Sequence, residues 1–482
     1  MKSSKFLGRE QELTSLNRFA KKGTSSLLVI KGRRRVGKSR LIEEFSVRNK
    51  IELLSFVGLY PEVGVTAQHQ RNEFAKQLGF IGLIANDWSD LFRALADRVQ
   101  KGKVIILLDE ISWMAYGDRT FLPKLKNVWD IHLKKNNQLI LIICGSASSW
   151  IEKNILSSTG FVGRISYVLT LEELRLEECT AFWGKAAKNT SPLEILKVLS
   201  AMGGIPKYLE EIDYHLDAEG NIKKLCFTKG GILFEEFDNI FHSSFIRKTN
   251  MYIKIIQLLA DGSKEMIELC NLLNTKPTGR FSDYLEELEL AGFVKRDYTW
   301  RLNTGLDTKM SKYRLSDNYM RFYLKYINKY KTKIERGSFD VKSLSSLPGW
   351  DGIMALQFEN LVLNNRKIIL QLLNINSDDV VSENPYFQHS TTKQKGCQID
   401  YMVQTKSGSL YICEIKFSKN KIGCNIINEV QTKIDVLKGA KRASYRPVLI
   451  HTGGVTKDLE HSDYFVKIID FCHILKDTML TG

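Results

Sequence analysis

An apolar run, Leu27-Leu-Val-Ile30, leads into Gly32-Arg-Arg-Arg-Val-Gly37-Lys38-Ser39, and an amphipathic stretch from Lys38 to about Arg48 follows. Every fixed position of G-x4-G-K-[ST] is filled, with an expected strand before it and an expected helix after it. Such a segment constrains the chain to an α/β core, because the loop works only where a buried strand hands it to a helix N-terminus. Gly32 and Gly37 let backbone N–H groups curl around phosphate oxygens, and the helix end adds partial positive charge. Lys38 is expected at the terminal phosphates of a nucleoside triphosphate and the Ser39 hydroxyl on Mg²⁺. Arg33, Arg34, Arg35, Val36 and Arg40 complete the expected nucleotide-contacting stretch.

About seventy residues later, Val104-Ile-Ile-Leu-Leu-Asp109-Glu110 reads as a second buried strand delivering two carboxylates at its C-terminal end. Ligands gather at such strand ends in open α/β sheets. Asp109 is expected to hold Mg²⁺, mostly through water, and Glu110 to polarise the attacking water as a general base for ATP hydrolysis. Cys144-Gly145-Ser146 ends a further strand with a hydroxyl near the expected γ-phosphate.

The rest of the composition narrows the setting. With 482 residues, two to four domains are expected. The longest apolar runs fall far short of the roughly 20 residues of a membrane span, and Met1-Lys-Ser-Ser opens no secretory signal. Eight cysteines without a C-x-x-C pair, and eight histidines without ligand spacing, speak against disulfide frameworks and zinc modules. A reducing, cytoplasmic setting is expected. The net charge of +16 attracts polyanions. Half of it lies between Lys295 and Arg336, where twelve Lys and Arg stand against four Asp and Glu, interleaved with eight aromatics. DNA is the expected polyanion. The alternative there is a solvated basic helix whose aromatics face a core.

Changes of pattern divide the chain. Residues 1–165 read as the nucleotide-binding core and 166–248 as a helical lid. Three short amphipathic helices and two short strands over 249–316 read as a winged helix-turn-helix. A basic linker helix is expected over 317–342, and an α+β segment over 343–482. In that last segment Glu414 and Lys416 are two apart on an expected strand and so project from one face. Asp400 lies on the preceding strand of an expected hairpin turning at Ser407-Gly408, and Glu359 lies on an amphipathic helix upstream. Two carboxylates beside a lysine suit a divalent metal and a phosphate transition state.

Phe6-Leu-Gly-Arg-Glu10, the glycine loop, Leu108-Asp-Glu110, Gly145-Ser146, Gly163-Arg164, Gly203-Gly-Ile-Pro206 and Tyr313-Arg-Leu-Ser-Asp317 together resemble the archaeal-type ATPases of the AAA+/STAND group. The resemblance implies that the segment around Gly8 and Arg9 lines an adenine pocket, that Ser146 is a sensor, and that Pro206 belongs to a lid motif touching nucleotide. It also implies that Arg164 reaches the nucleotide of a neighbouring subunit in a homo-oligomer, with Arg119 and Arg175 as rivals. Glu359, Asp400 and Glu414-Ile-Lys416 resemble the PD-(D/E)xK nuclease superfamily, with Ile399 at the position of the proline. That resemblance implies Asp400 and Glu414 as ligands of Mg²⁺ (Mn²⁺ as a substitute), Lys416 at the attacking water and Glu359 assisting.

The expected architecture is therefore an α/β P-loop AAA+-like core with a helical lid, a winged helix and a C-terminal restriction-endonuclease-like α+β domain. The expected function is ATP hydrolysis that gates assembly or cleavage of double-stranded DNA. The alternative is a regulatory or scaffold ATPase that binds DNA with an inactive nuclease-like domain.

Overall fold

The apolar runs become five strands: β1 Ser26–Lys31, β2 Glu52–Val57, β3 Val104–Asp109, β4 Leu139–Gly145 and β5 Ile165–Thr170. They pair in the order β2-β3-β4-β1-β5, every pair parallel. β1, β3 and β4 are buried along their whole length, which is why they read as unbroken apolar runs rather than as alternating ones. The outer strands β2 and β5 are partly exposed. β5 begins where the core was expected to stop, so the core sheet runs to Thr170. The computed structural model describes residues 5–146, 148–244, 249–392, 395–437 and 443–475.

One sheet face packs on an aromatic cluster in which Trp88 and Phe121 meet edge to face at 4.7 Å. The other face carries Leu28, Ile30, Leu41 and Phe45, and its core runs without a break through the segments expected as lid and winged helix to the helix Trp350–Asn364. Each such buried side chain contributes about 1.5–3 kcal/mol. The sharing of one core means that the successive sequence segments are packed together rather than strung on linkers.

The segment expected as a winged helix has helices Thr249–Leu259, Met266–Leu272 and Gly279–Leu290, then a hairpin of β6 Val294–Trp300 and β7 Asp307–Leu315. The C-terminal sheet consists of β8 Val380–Gln388, β9 Cys397–Thr405, β10 Ser409–Lys416, β11 Ser444–His451 and β12 Lys467–Asp470. Its order is β12-β11-β10-β9-β8. β8, β9 and β10 are antiparallel neighbours, and β10, β11 and β12 parallel ones. The expected hairpin is present as β9–β10, with Gly408 at a φ of 80° in its turn.

Two features bear on how DNA could approach. The wing is not a free hairpin, because its tip docks on the C-terminal sheet. Trp300 packs on Tyr386 and donates through Nε1 to Gln404 Oε1 at 2.6 Å, while Thr299 Oγ1 donates to the Phe387 carbonyl at 2.9 Å. The helix at the recognition position carries Asp283, Glu286, Glu287 and Glu289 against the single base Arg280, a pattern that repels phosphates. The sequence already held that signal.

The basic linker is also not one regular helix. Asn318–Phe322 and Asn328–Glu335 are α-helical, but Tyr323–Ile327 between them is a π-helical turn. The extra residue of such a turn breaks the i, i+4 spacing. Lys325 thereby pairs with Asp261, whereas Lys329 and Lys333 stay exposed. Tyr319, Phe322, Tyr323 and Tyr326 are buried, so the aromatics serve the core. Among the described residues no helix is long and apolar enough to cross a membrane.

Candidate functional site

The glycine loop lies at the C-terminal end of β1, between the ends of β4 and β5. Gly37 has a φ of 89°, in the left-handed region, and a Cβ at Gly32 would overlap the Leu171 carbonyl. With the loop so curled, Lys38 Nζ donates to the carbonyls of Gly32 at 2.8 Å and Arg33 at 3.0 Å. Ser39 Oγ donates to Asp109 Oδ2 at 2.6 Å across the gap between two strand ends. A hydroxyl and a carboxylate at that spacing fit a shared divalent cation.

Glu110 has a φ of 49° and turns back toward β4. Its Oε2 accepts from Ser146 N at 3.2 Å and Ser146 Oγ at 3.0 Å. Burial pushes the Glu110 carboxyl up, and Asp109 adds to the rise, against Lys38 and the Ser146 donors. A raised, positioned carboxyl beside the loop has the chemistry of a general base.

A cavity of about 340 Å³ opens over this loop. Arg9, Arg34, Arg35, Val36, Gly37, Lys38, Ser39, Arg40, Asp109, Glu110 and Pro206 line it, as the sequence led us to expect. Phe6, Phe182 and Lys207 line it too. Phe182 belongs to no motif, and only packing brings it there. Gly8, Gly32, Arg33 and Ser146 do not line it. Gly8 lies against Leu174, and Arg33 turns away to a buried ion pair with Asp317. Arg9 is mainly a strut: its Nη2 donates to the carbonyls of Val36 at 3.0 Å and Glu172 at 2.6 Å. Arg164 is held by Asp130, with Nη2 to Oδ2 at 2.8 Å, rather than standing free toward a neighbour. Its rival Arg175 pairs with Glu178 at 2.9 Å, whereas Arg119 is exposed.

The second site lies at the C-terminal sheet. Asp400 on β9 and Glu414 on β10 meet across the hairpin, and Asp400 Oδ2 accepts from Ile415 N at 2.9 Å. Lys416 Nζ is 3.1 Å from Glu414 Oε1 and 2.9 Å from Glu429 Oε2. Lys433, from the helix Asn425–Asp435, lies 2.5 Å from Glu414 Oε2 and 4.0 Å from Asp400 Oδ1. Gln431 on that helix is tied to Asp435 and Tyr464.

Burial pushes Asp400 up to about 7, with Glu414 the next cause, Lys433 opposing and Glu359 adding a little. Glu359 makes no hydrogen bond or ion pair among the described residues, and burial raises it too. It shares the site's field rather than touching its carboxylates. An open cleft of about 490 Å³ runs past Lys395, Gln398, Asp400 and Lys433. A lysine ammonium lodged against two carboxylates shows that their oxygens suit a cation. Among the described residues, however, no group of three or more His, Cys, Asp or Glu side chains converges as a metal cage.

Buried polar contacts run from the glycine loop to the helix that carries Glu359. Arg33 of the loop pairs with Asp317, whose Oδ1 caps the next helix at Met320 N, 2.9 Å away. From that helix Arg321 Nη1 donates to Gln357 Oε1 at 2.8 Å. Gln357 Nε2 returns a bond to the Asn318 carbonyl at 2.7 Å, and Asn360 Nδ2 donates to Asn318 Oδ1 at 3.1 Å. Gln357 and Asn360 flank Glu359 on one helix.

Residues 6–212 match a family model described as an ATPase domain predominantly from Archaea. An uncharacterized protein of Methanocaldococcus jannaschii is 29% identical over 347 residues, which is 71% of this chain and 73% of that one. A second uncharacterized protein of the same organism is 36% identical over 75 residues, 16% of this chain and 66% of the other. Among solved structures, the Walker-type ATPase of Pyrococcus abyssi aligns at 18% identity with a TM-score of 0.49, over 66% of this chain and 96% of that one. The Aeropyrum pernix ORC2 protein aligns at 15% identity with a TM-score of 0.39, over 68% and 97%. The family match over residues 6–212 and the loop geometry agree on an ATPase-type, ATP-binding site in that part of the chain.

Proposed function

We propose that the chain is an ATP-driven switch whose C-terminal domain cuts DNA in a metal-dependent way. The observation that carries this is the pairing of Asp400 and Glu414 with two lysines on a sheet whose neighbouring helix is wired to the glycine loop. In the ATPase domain Lys38 binds the terminal phosphates, Glu110 orients and deprotonates the attacking water, and Ser146 holds Glu110 in place. Ser39 and Asp109 hold Mg²⁺, and Asp400 and Glu414 hold a second divalent cation, Mg²⁺ or Mn²⁺. Each cation, when bound, supplies positive charge to phosphate oxygens.

At the C-terminal site Lys416 positions the attacking water and Glu359 adds negative field behind the carboxylates. Arg33 and Asp317 transmit the state of the loop to the Glu359 helix. Arg164, released from Asp130, or the already exposed Arg119, completes the nucleotide site of a second copy. DNA approaches along the exposed Lys395, Lys329 and Lys333 rather than by the acidic recognition-position helix. The test is cleavage of linear and plasmid DNA by the purified chain with and without ATP and Mg²⁺. Asp400→Ala and Lys416→Ala should each abolish cutting and leave ATP turnover within about twofold, since the two sites lie on different sheets.

A specific observation favours the alternative of a DNA-binding regulator that does not cut. Two lysines already satisfy Glu414, and only two carboxylates meet directly. Parent protein that binds DNA but never cleaves it under any metal or nucleotide condition would establish that alternative.

A further inference from the structure

Lys433 enters the carboxylate site by packing rather than by any motif. Its helix buries Ile426, Val430 and Ile434 at i, i+4 and i+8. Lys433 precedes the last of these and projects from the flank of that face over the end of β10. There its ammonium has ionic contacts with two groups among the described residues, Glu414 Oε2 at 2.5 Å and Asp400 Oδ1 at 4.0 Å. Lys416 behaves differently, because Glu429 holds it from outside the site. One ammonium therefore sits between the two carboxylates, where a divalent cation would bind both.

We propose that Lys433 is a positioning residue that acts as a resident counter-ion: it holds Asp400 and Glu414 together without metal and must swing aside for a divalent cation to enter. The inference rests on the metal-site reading above. Its physical basis is direct. Two carboxylates facing each other repel, and an ammonium cancels that repulsion; a cation arriving at the same oxygens meets the ammonium's like charge. Lys433 thus keeps the site assembled while lowering its affinity for metal, so cutting is restrained until metal and a phosphate are present together. The displaced ammonium then faces the cleft lined by Lys395 and Gln398, where a phosphate would lie.

The experiment is Mn²⁺ binding to the full chain without DNA or nucleotide, followed by the electron paramagnetic resonance of free Mn²⁺. Metal at this site is defined as the part that Asp400→Asn removes. Lys433→Met should bind that Mn²⁺ about tenfold more tightly than the parent, the scale of losing one close like charge. Lys433→Arg, which keeps the charge, should bind as the parent does. ATP turnover by each variant reports that the chain is folded. If Lys433→Met binds Mn²⁺ no more tightly than the parent while Asp400-dependent binding persists, the counter-ion role is wrong and the metal site stands. Absence of Asp400-dependent Mn²⁺ in every variant, Lys433→Met included, overturns both.

Discussion

The glycine-loop site and the C-terminal carboxylate site both lie at strand ends, yet they are held in opposite ways. In the first, the critical cation is satisfied by its own loop: Lys38 donates to the carbonyls of Gly32 and Arg33, within six residues. In the second, charges lean on other charges: Glu414 on Lys416 of its own strand and on Lys433, nineteen residues away on a helix. A site built from backbone groups keeps its shape whatever its ligand. A site built from opposed side-chain charges changes whenever one partner is removed or a competing ion enters.

That contrast can be tested by removing one group at a time. The largest effect is expected from Lys38→Ala, which should abolish ATP hydrolysis because Lys38 is the cation that the loop carbonyls hold at the site of the terminal phosphates. The same variant should leave Asp400-dependent Mn²⁺ binding unchanged; loss of both together would mean that the two sites are one cooperative unit. Next comes the joint between them. Asp317→Asn removes the nearer carboxylate of the buried Arg33, leaving Glu173 at 3.7 Å, and should cost about 3 kcal/mol in a urea unfolding curve read by circular dichroism. A cost below about 1 kcal/mol would show that the ion pair is not a structural joint.

Glu110→Gln should still bind ATP and turn it over at least about a hundredfold more slowly, the usual scale for losing a general base. Turnover at the parent's rate would take Glu110 out of that role.

A smaller effect concerns Glu173, packed beside Arg33 and Asp317. Burial pushes its carboxyl up to about 7, Asp317 adds to the rise and Arg33 opposes it. An acid whose folded pKa exceeds the unfolded value of 4.5 contributes most below that value. Its contribution is lost as pH rises toward about 7, where the unfolded chain has already released the proton. Glu173→Gln should flatten this fall in stability between about pH 4.5 and 7, measured as thermal unfolding midpoints. An identical slope would exclude Glu173 as its source.

The smallest effect is on DNA binding. Charge reversal at Lys329 and Lys333 should lower the magnitude of the salt slope by about two counterions. Adding Lys325 should change it no further, since that lysine already pairs with Asp261. An unchanged slope in the double variant would make the helix a solvated face only.

By itself the sequence determined what depends on neighbours along the chain. The buried parallel strands were legible as unbroken apolar runs, the loop as glycines between a strand and a helix, and the β9–β10 hairpin as a turn between alternating segments. Each of these rests on local backbone geometry and periodicity. The acid Glu110 was legible because its strand delivers it, although its Ser146 partner comes from β4. The tertiary structure alone decided which charges would be cancelled and by what. Lys433, Phe182 and the Arg33–Asp317 pair belong to no readable spacing, because their partners lie 19 to 284 residues away or on another element. The basic helix shows the same limit: its composition left open a phosphate-binding face or a solvated helix with its aromatics in the core, and only packing turned the aromatics inward and gave Lys325 to Asp261. Periodicity tells which residues share a face, but only packing tells what that face meets.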